Sequence, residues 1–321
     1  MSPKSSPRPV GARRPPRGSE LVLGDCLEEL PKLAGRYPEG FDLVYVDPPF
    51  NAGGTRSARE GRGHRAKGRA AYRDAWGGID SFLEMLKPRL AAIRDVMSQQ
   101  ASLWLHLDHR AVHDAKVLAD QIFGSRCFEG EVIWVPGNGG RRRSGPSVTH
   151  QTILIYRKGK EFIYNLDSPV LREPYADTSL RMHFNNTDAD GRRFRERSIN
   201  GKTYRYYADR GRRLGSVWTD CPAMRANTPL IDEGTGYPTQ KPESLLSRII
   251  AAGSLDESLV LDPMCGSGTT LAVAQKLGRR WVGIDQSTLA HRIAGQRLAR
   301  LVDLPERPPQ RRPRRAESAE S

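Results

Sequence analysis

The chain has 321 residues, enough for one large hydrophobic core and a smaller accompanying module. Its net charge of +14 and its sequence pI near 9.9 favour a polyanionic partner. No apolar run reaches the length of a membrane span, and residues 1–18 lack the apolar segment of a secretory signal. The four cysteines are scattered without a C-x-x-C pair, which fits a reduced, cytoplasmic protein better than a disulfide framework.

Both ends are rich in Pro, Arg and Ser, so residues 1–18 and 304–321 are expected to be disordered basic tails. Between them, short apolar segments alternate with helical ones, a pattern typical of a parallel α/β sheet. Strands are predicted at residues 20–24, 42–46, 102–107, 132–135, 152–156, 259–261 and 281–284, with the fourth and fifth forming an antiparallel pair. Helices are predicted at residues 81–97, 111–123, 243–252, 269–277 and 289–301, and Pro88 is expected to break or kink the first.

The segment Asp47-Pro48-Pro49-Phe50 ends a predicted strand and leads into a glycine-rich loop. A carboxylate and a carbonyl fixed by proline can accept hydrogen bonds from an amino group, and an aromatic ring can stack on the base that carries it. Taken alone, the segment is explained equally well as an ordinary turn.

A second motif lies far downstream, where a predicted strand leads into Asp262-Pro-Met-Cys-Gly-Ser-Gly-Thr-Thr270. Gly266 and Gly268 let backbone amides come close to a ligand. The next strand ends in Asp285, and an acid about twenty residues past a glycine turn is where nucleotide-binding folds hold ribose hydroxyls. The loop lacks the lysine of a phosphate-binding loop, which favours an adenosyl ligand over a triphosphate.

Together these motifs resemble those of the S-adenosylmethionine-dependent DNA amino-methyltransferases, which carry [DNS]-P-P-[YFW] and D-P-x-x-G-S-G-T-T. The segment Tyr237-Pro-Thr-Gln-Lys-Pro242 is similar to the family's H-P-T-Q-K-P, and the motif order is that of the permuted beta group. The resemblance implies an α/β fold with a doubly wound, seven-stranded, mostly parallel methyltransferase (Rossmann-like) sheet and an inserted target-recognition region. In such a sheet, strand 281–284 lies beside strand 20–24.

The resemblance divides the chain into a catalytic part at residues 19–156, a target-recognition insertion at 157–235 and a cofactor-binding part at 236–303. The implied catalytic residues are Asp47, Pro48, Pro49 and Phe50. The implied S-adenosylmethionine-binding residues are Asp25, Thr239, Lys241, Asp262, Cys265, Gly266, Gly268, Thr269 and Asp285. Asp25 is explained nearly as well as a helix N-cap, and Lys241 has the alternative of a surface lysine.

The implied reaction is methyl transfer to the exocyclic N6 amine of adenine within a specific sequence of double-stranded DNA. Asp in the first position of the catalytic motif favours adenine, while cytosine N4 and a catalytically silent nucleic-acid-binding relative stay open as alternatives. A homodimer and a restriction endonuclease on a separate chain also stay open.

DNA contacts are expected from arginine-rich segments, because arginine can neutralise phosphates and read base edges. The candidates are Arg141, Arg142, Arg143, Arg192, Arg193 and Arg195. Their alternative role is to pair with acids of the same insertion. No metal is expected, because His106, His109 and His113 lack a matching set of carboxylate or cysteine ligands.

Overall fold

The computed structural model of the chain describes residues 15–49, 55–59, 68–73, 77–137, 143–224 and 233–303. Three of the predicted functional residues, Phe50, Arg141 and Arg142, lie outside these ranges, as do residues 1–14 of the predicted N-terminal tail and the predicted C-terminal tail, 304–321. Within the described ranges, no helix combines the length and the apolar character that a membrane span requires.

The elements of the first half of the chain alternate between strands and helices. They are β1 (Glu20–Leu23), α1 (Cys26–Arg36), β2 (Phe41–Val46), β3 (Thr55–Arg59), β4 (Gly68–Arg73), α2 (Ile79–Val96), β5 (Met97–Leu107), α3 (Val112–Phe123), β6 (Phe128–Trp134) and β7 (Gln151–Arg157).

The second half begins with short elements and ends in long ones. They are β8 (Arg172–Glu173), α4 (Asp177–His183), β9 (Asn186–Thr187), β10 (Arg193–Ile199), β11 (Lys202–Tyr207), β12 (Arg212–Arg213), β13 (Val217–Trp218), α5 (Glu243–Gly253), β14 (Leu259–Asp262), α6 (Thr269–Lys276), β15 (Arg280–Asp285) and α7 (Thr288–Asp303). Every strand and helix predicted from the sequence is therefore present.

One central sheet contains eight strands in the order β1-β15-β14-β2-β5-β7-β6-β13. Only β7 runs against its neighbours, so the predicted antiparallel pairing of β6 with β7 is confirmed. The sheet has one strand more than the seven predicted, because Val217 and Trp218 pair in parallel with Ile133 and Trp134. Two residues are too few to show a strand periodicity, and they lie inside the predicted insertion 157–235, which thus contributes to the central sheet.

The predicted adjacency of the two ends of the chain is confirmed. β1 and β15 pair in parallel, with Leu23 opposite Asp285, and the Gly24 N–H donates to the Asp285 carbonyl at 3.0 Å. The last strand of the chain therefore completes the sheet beside the first, and both strands end at the same edge.

Of the predicted break or kink at Pro88, the break does not occur, because α2 continues through Pro88 from Ile79 to Val96. Proline inside a helix costs about 3 kcal/mol or more. The helix also buries Phe82, Leu86 and Leu90 completely, and each such side chain contributes roughly 1.5–3 kcal/mol. Packing against the sheet therefore outweighs the missing backbone hydrogen bond.

Helix α1 was not predicted as an element, since Pro31 and Gly35 interrupt its pattern. The helix forms because Leu30 and Leu33 are fully buried on one face, and because Asp25 caps its N-terminus. The Asp25 Oδ1 accepts a hydrogen bond from the Leu27 N–H at 2.9 Å. The N-cap alternative for Asp25 is therefore correct, whatever else this carboxylate does.

Candidate active site

Four acidic residues lie at the carboxyl ends of the neighbouring strands β1, β15, β14 and β2, the edge at which open α/β sheets bind ligands. They are Asp25, Asp285, Asp262 and Asp47. All four line one cavity of about 510 Å³. Small-molecule sites typically enclose about 300–1,000 Å³, so the cavity is large enough for a nucleoside-sized ligand.

The cavity brings together most of the site residues predicted from the sequence. Its walls include Asp25, Asp47, Pro48, Pro49, Thr239, Lys241, Asp262, Cys265, Gly266, Thr269 and Asp285. Three further lining residues, Tyr45, Arg89 and Tyr237, were not selected as site residues. Tyr45 and Arg89 lie in a buried strand and a helix that packs on the sheet, where nothing in the sequence distinguishes them from core or surface positions.

Gly266 connects the glycine loop to Asp285. Its N–H donates to the Asp285 Oδ2 at 2.8 Å, and the Ser287 N–H donates to the Oδ1 at 2.8 Å. Gly266 has a φ of +51°, and a Cβ there would lie 3.3 Å from the Tyr237 ring. The loop thus requires glycine at this position, both for its backbone conformation and for the close approach of Tyr237.

Gly268 packs closely against a neighbouring helix. It has a φ of +72°, and a Cβ there would lie only 2.8 Å from the Cβ of Ala294 in α7. Gly268 does not line the cavity. Its missing side chain lets the loop pack closely on α7, and its N–H donates to the Cys265 carbonyl at 2.8 Å.

Burial makes the cavity a poor place for uncompensated negative charge. It raises the pKa of Asp262 to about 7, against hydrogen bonds from Thr270 and the Met264 N–H, and the charges of Asp47 and Asp285 raise it further. Burial also raises the pKa of Asp285, despite its two backbone donors. A cationic ligand would offset this cost, so the site favours a ligand that carries positive charge.

Asp25 carries a second contact besides the N-cap. Its carboxylate accepts two hydrogen bonds from the Arg89 Nη2, at 2.7 and 3.1 Å. Arg89 projects from α2 and is only 15% exposed. This ion pair holds the cap residue at the cavity wall.

Lys241 is not the surface lysine that was its alternative interpretation. Only 8% of its side chain is exposed, and its Nζ forms an ion pair with the Asp47 Oδ2. The two residues are 194 positions apart in sequence, so the pair joins the D-P-P turn to the segment before α5.

A buried polar chain lies beneath this pair. Tyr45 donates its hydroxyl hydrogen to the His106 Nδ1 at 2.7 Å, and the His106 Nε2 donates to the Gln151 Oε1 at 2.7 Å. The Gln151 oxygen can only accept, which fixes this tautomer. Burial, aided by the charge of Lys241, holds the pKa of His106 well below its usual range, so the ring is neutral. Across the part of the chain that the structure describes, no three His, Cys, Asp or Glu side chains are grouped as a metal site requires.

Cys265 lines the cavity but is not suited to act as a nucleophile. Burial, aided by the charges of Asp262 and Asp285, raises the pKa of its thiol well above the usual range. The thiol therefore stays protonated at neutral pH, and a protonated thiol is a weak nucleophile.

The predicted DNA-binding arginines are found in two settings. Arg143 is exposed, and it lies away from the other described candidates in sequence. Arg192 forms a bidentate ion pair with Asp209, at 2.9 Å for both hydrogen bonds. Arg193 donates to the carbonyls of Leu180 and Phe184. Arg192 therefore makes the acid pair of the alternative interpretation, whereas Arg193 is held by backbone carbonyls of the insertion.

Arg195 is held by aromatic rings. Its guanidinium group lies 5.2–5.5 Å from the ring centroids of Tyr175, Phe184 and Tyr206. Such cation–π contacts stabilise the base of the β10–β11 hairpin.

A parallel sheet with a glycine loop, acidic strand ends and an adjoining D-P-P turn defines a class of α/β enzymes that hold an adenosyl cofactor against a substrate amine. The sequence pattern of the DNA methylase family (N6_N4_Mtase) matches residues 41–296, and the chain belongs to that family.

Similar proteins with curated names are DNA methyltransferases. The type II methyltransferase M.EcaI of Enterobacter cloacae is 27% identical, over 80% of this chain and 64% of its own length. The DNA adenine methyltransferase YhdJ of Escherichia coli is 27% identical, over 83% of this chain and 77% of its own length. The type II methyltransferase M2.DpnII of Streptococcus pneumoniae is 28% identical, over 87% of this chain and 88% of its own length.

Solved structures confirm the fold. The PvuII DNA methyltransferase, which is cytosine-N4-specific, superposes with a TM-score of 0.56 at 14% identity, over 92% of this chain and 93% of its own. The M1.HpyAVI–SAM complex gives a TM-score of 0.52 at 16% identity, over 87% and 98%. The chain therefore has the methyltransferase fold that the sequence predicts.

The close packing at Gly268 can be tested by adding one methyl group. We expect Gly268→Ala to lower the free energy of unfolding by about 2–4 kcal/mol, because it adds both a left-handed alanine and a clash with Ala294. Gly191→Ala is the matched control, since Gly191 has a φ of +75° but open space around its Cβ position. Denaturant unfolding that shows equal destabilisation of the two variants would contradict the packing role.

Proposed function

We propose that this chain transfers a methyl group from S-adenosylmethionine to the N6 amine of adenine in a specific sequence of double-stranded DNA. The observation that carries the proposal is the position of Asp47. It is the first residue of the D-P-P turn, and it lines the same cavity as the glycine loop and Asp285. A base amine beside Asp47 and a cofactor on the loop would meet inside one enclosed site.

The residues of the cavity fit S-adenosylmethionine. Asp285 can accept from ribose hydroxyls, because a carboxylate offers about four lone-pair sites and two are taken by backbone donors. Asp262 and the loop around Gly266 suit the positively charged methionine end, and Asp25 suits the adenine amino group. When bound, the cofactor supplies a methyl group on a positively charged sulfur.

The chain's own task is to position the amine. Asp47 accepts a hydrogen bond from the amino group, aided by the Pro48 carbonyl, so that the nitrogen lone pair points at the methyl carbon. With the cofactor bound, the N–C bond would form as the C–S bond broke, and the electron pair of the broken bond would stay on sulfur. The nitrogen then loses one proton, which Asp47 accepts and passes to solvent. Positioning of this kind can supply several kcal/mol of barrier lowering.

The target base must leave the duplex to reach this cavity, because its amine is otherwise stacked and paired. Phe50, the last residue of the catalytic motif, is proposed to stack on it.

Cytosine N4 is the second candidate substrate, supported by the fold shared with the PvuII enzyme. Asp in the first position of the motif favours adenine. The enclosed acidic cavity argues against a catalytically silent relative.

Sequence choice is proposed to lie in the insertion 157–235, where a three-stranded sheet is built on β10. The two faces of the β10–β11 hairpin differ, since cross-strand partners share a face. On one face, Glu196 pairs with Arg205 at 2.9 Å, and Ser198 and Thr203 hydrogen bond at 3.2 Å. This face satisfies its own polar groups.

The opposite face presents Arg197 beside Tyr204 and Ile199 beside Lys202. All four are exposed, and Ile199 and Tyr204 are each 45% exposed. Among the residues described, neither Arg197 nor Lys202 makes an ion pair or a side-chain hydrogen bond. The major groove of B-DNA admits a two-stranded β-ribbon, so we propose that this face contacts DNA in place of Arg192, Arg193 and Arg195.

Two of the similar proteins are named type II methyltransferases, which supports a restriction–modification role. Any cleavage would then come from a restriction endonuclease on a separate chain.

The catalytic role of Asp47 predicts a large drop in rate on its removal. Asp47→Asn and Asp47→Ala should each slow single-turnover transfer of a labelled methyl group to duplex DNA on the order of a hundredfold or more. Asp256→Asn is the control, since Asp256 is an exposed carboxylate paired with Arg279 away from the cavity. Near-wild-type rates for folded Asp47 variants would remove the proposed role.

The raised pKa of Asp262 predicts that cofactor affinity depends on pH. A bound cation favours the ionised carboxylate, so binding should tighten as the pH rises through about 7. Between pH 6 and pH 8 we expect about a tenfold gain in S-adenosylmethionine affinity. Calorimetry measures it, and Asp262→Asn should abolish the gain. An equal gain in that variant would show that another group causes the pH dependence.

The two hairpin faces predict different effects on DNA binding. Arg197→Ala with Lys202→Ala should weaken binding and flatten its salt dependence, by nearly one unit of slope for each phosphate that is no longer neutralised. Arg205→Ala removes a positive charge from the opposite face and should leave the slope unchanged. Fluorescence anisotropy across a salt series gives both slopes. If Arg205→Ala flattens the slope as much per removed charge as the double variant does, the two faces are equivalent. The hairpin then contributes only its overall positive charge, and no specific face contacts DNA.

A further inference from the structure

Lys241 occupies a position that a cofactor ligand alone does not explain. Only 8% of its side chain is exposed, and its ammonium group contacts the Asp47 carboxylate. Burying a lysine is costly unless its charge is compensated. The compensation here comes from the residue that we propose to hold the target amine.

Side-chain hydrogen bonds hold the segment on the N-terminal side of Lys241. The Gln240 Oε1 accepts from the N–H and the hydroxyl of Thr235, at 3.0 and 2.7 Å, and its Nε2 donates to the Glu233 carbonyl at 2.8 Å. Thr239 has a φ of +60°, which is rare for a β-branched residue. Such strain persists only where the surroundings determine the backbone, and it is common at functional sites.

The charges around Asp47 explain what the ammonium group does. Asp262 on β14 is close enough to Asp47 for their like charges to interact, and so is the Tyr45 hydroxyl on β2. The positive charge of Lys241 offsets these negative charges at Asp47. Burial and this charge together lower the pKa of His106 on β5. The other ionisable groups lining the cavity include Asp285 on β15 and the Asp25–Arg89 pair between α1 and α2.

We propose that Lys241 is a positioning residue for methyl transfer: its ammonium group keeps the Asp47 carboxylate ionised and oriented toward the target amine. This rests on the proposed function. A carboxylate has lone pairs for more than one donor, so Asp47 can accept from Lys241 and from the amine together. After transfer, Asp47 takes the proton that the amine nitrogen loses. The neighbouring ammonium group favours the ionised form, so Asp47 releases that proton to solvent and the carboxylate is restored.

The first test needs neither cofactor nor DNA. In the ligand-free chain with ¹³C-labelled aspartate carboxyls, the Asp47 signal is assigned by its disappearance in Asp47→Asn. In Lys241→Met, its titration midpoint should move to higher pH by about one unit or more. Lys276→Met is the matched control, because Lys276 forms an ion pair with Glu243 at the start of α5. That variant should leave the Asp47 midpoint where it is in the wild type.

The second test separates positioning from cofactor binding. Lys241→Met should bind S-adenosylhomocysteine no more than about threefold more weakly than the wild type, while its single-turnover rate at pH 7 falls about tenfold or more. The decrease should be larger at pH 5, where more of the Asp47 is protonated in the variant than in the wild type, than at pH 8. Lys241→Gln serves as a second variant if Lys241→Met does not fold.

Three results would overturn the proposal. They are an unchanged Asp47 midpoint in the Lys241 variants, a tenfold decrease in S-adenosylhomocysteine affinity, and a rate decrease that is the same at every pH. The first test also distinguishes this proposal from the proposed function. In one outcome, the wild type transfers no methyl group while the Asp47 titration midpoint still moves in Lys241→Met. The effect of Lys241 on Asp47 would then be supported, and the proposed methyl-transfer function would be contradicted.

Discussion

Acidic side chains at the ends of four neighbouring parallel strands share one buried cavity. The neighbouring groups must therefore compensate the negative charge that these side chains bring into it. Like charges in a poorly solvated site raise one another's pKa and would leave the site uncharged. Two backbone N–H groups hold Asp285, Arg89 holds Asp25 and Lys241 holds Asp47. Asp262 is held by Thr270 and a backbone N–H rather than by a cation, and its pKa is raised to about 7. A cationic cofactor would complete this balance of charge.

The permuted order of the chain determines which segments supply these groups. The D-P-P turn follows β2, whereas the glycine loop and Lys241 come from the last third of the sequence. The ion pair between Lys241 and Asp47 therefore links the two parts of the domain across the cavity. Removing one partner of a buried pair typically costs about 3–5 kcal/mol, so the stability of the fold depends on this contact. Variants of either residue need a folding measurement beside any rate.

The sequence was sufficient for the central sheet and for most of the cavity, because buried parallel strands are apolar runs and the two motifs end them directly. It was insufficient wherever a long-range contact decides the outcome. Trp218 forms a strand only because β6 offers an edge, and Pro88 is tolerated because α2 is anchored in the core. Gly268 faces Ala294, and Arg192 faces Asp209, in contacts between segments that no local pattern encodes.

The central claim is that this cavity methylates the N6 amine of adenine. The most direct measurement incubates the purified chain with S-adenosylmethionine and genomic DNA, digests the DNA to nucleosides and separates them by mass spectrometry. The account predicts N6-methyl-2′-deoxyadenosine, which appears with the wild type and is absent with Asp47→Ala. Accumulation of N4-methylcytosine instead, or of no methylated nucleoside with a folded, cofactor-binding chain, would contradict it.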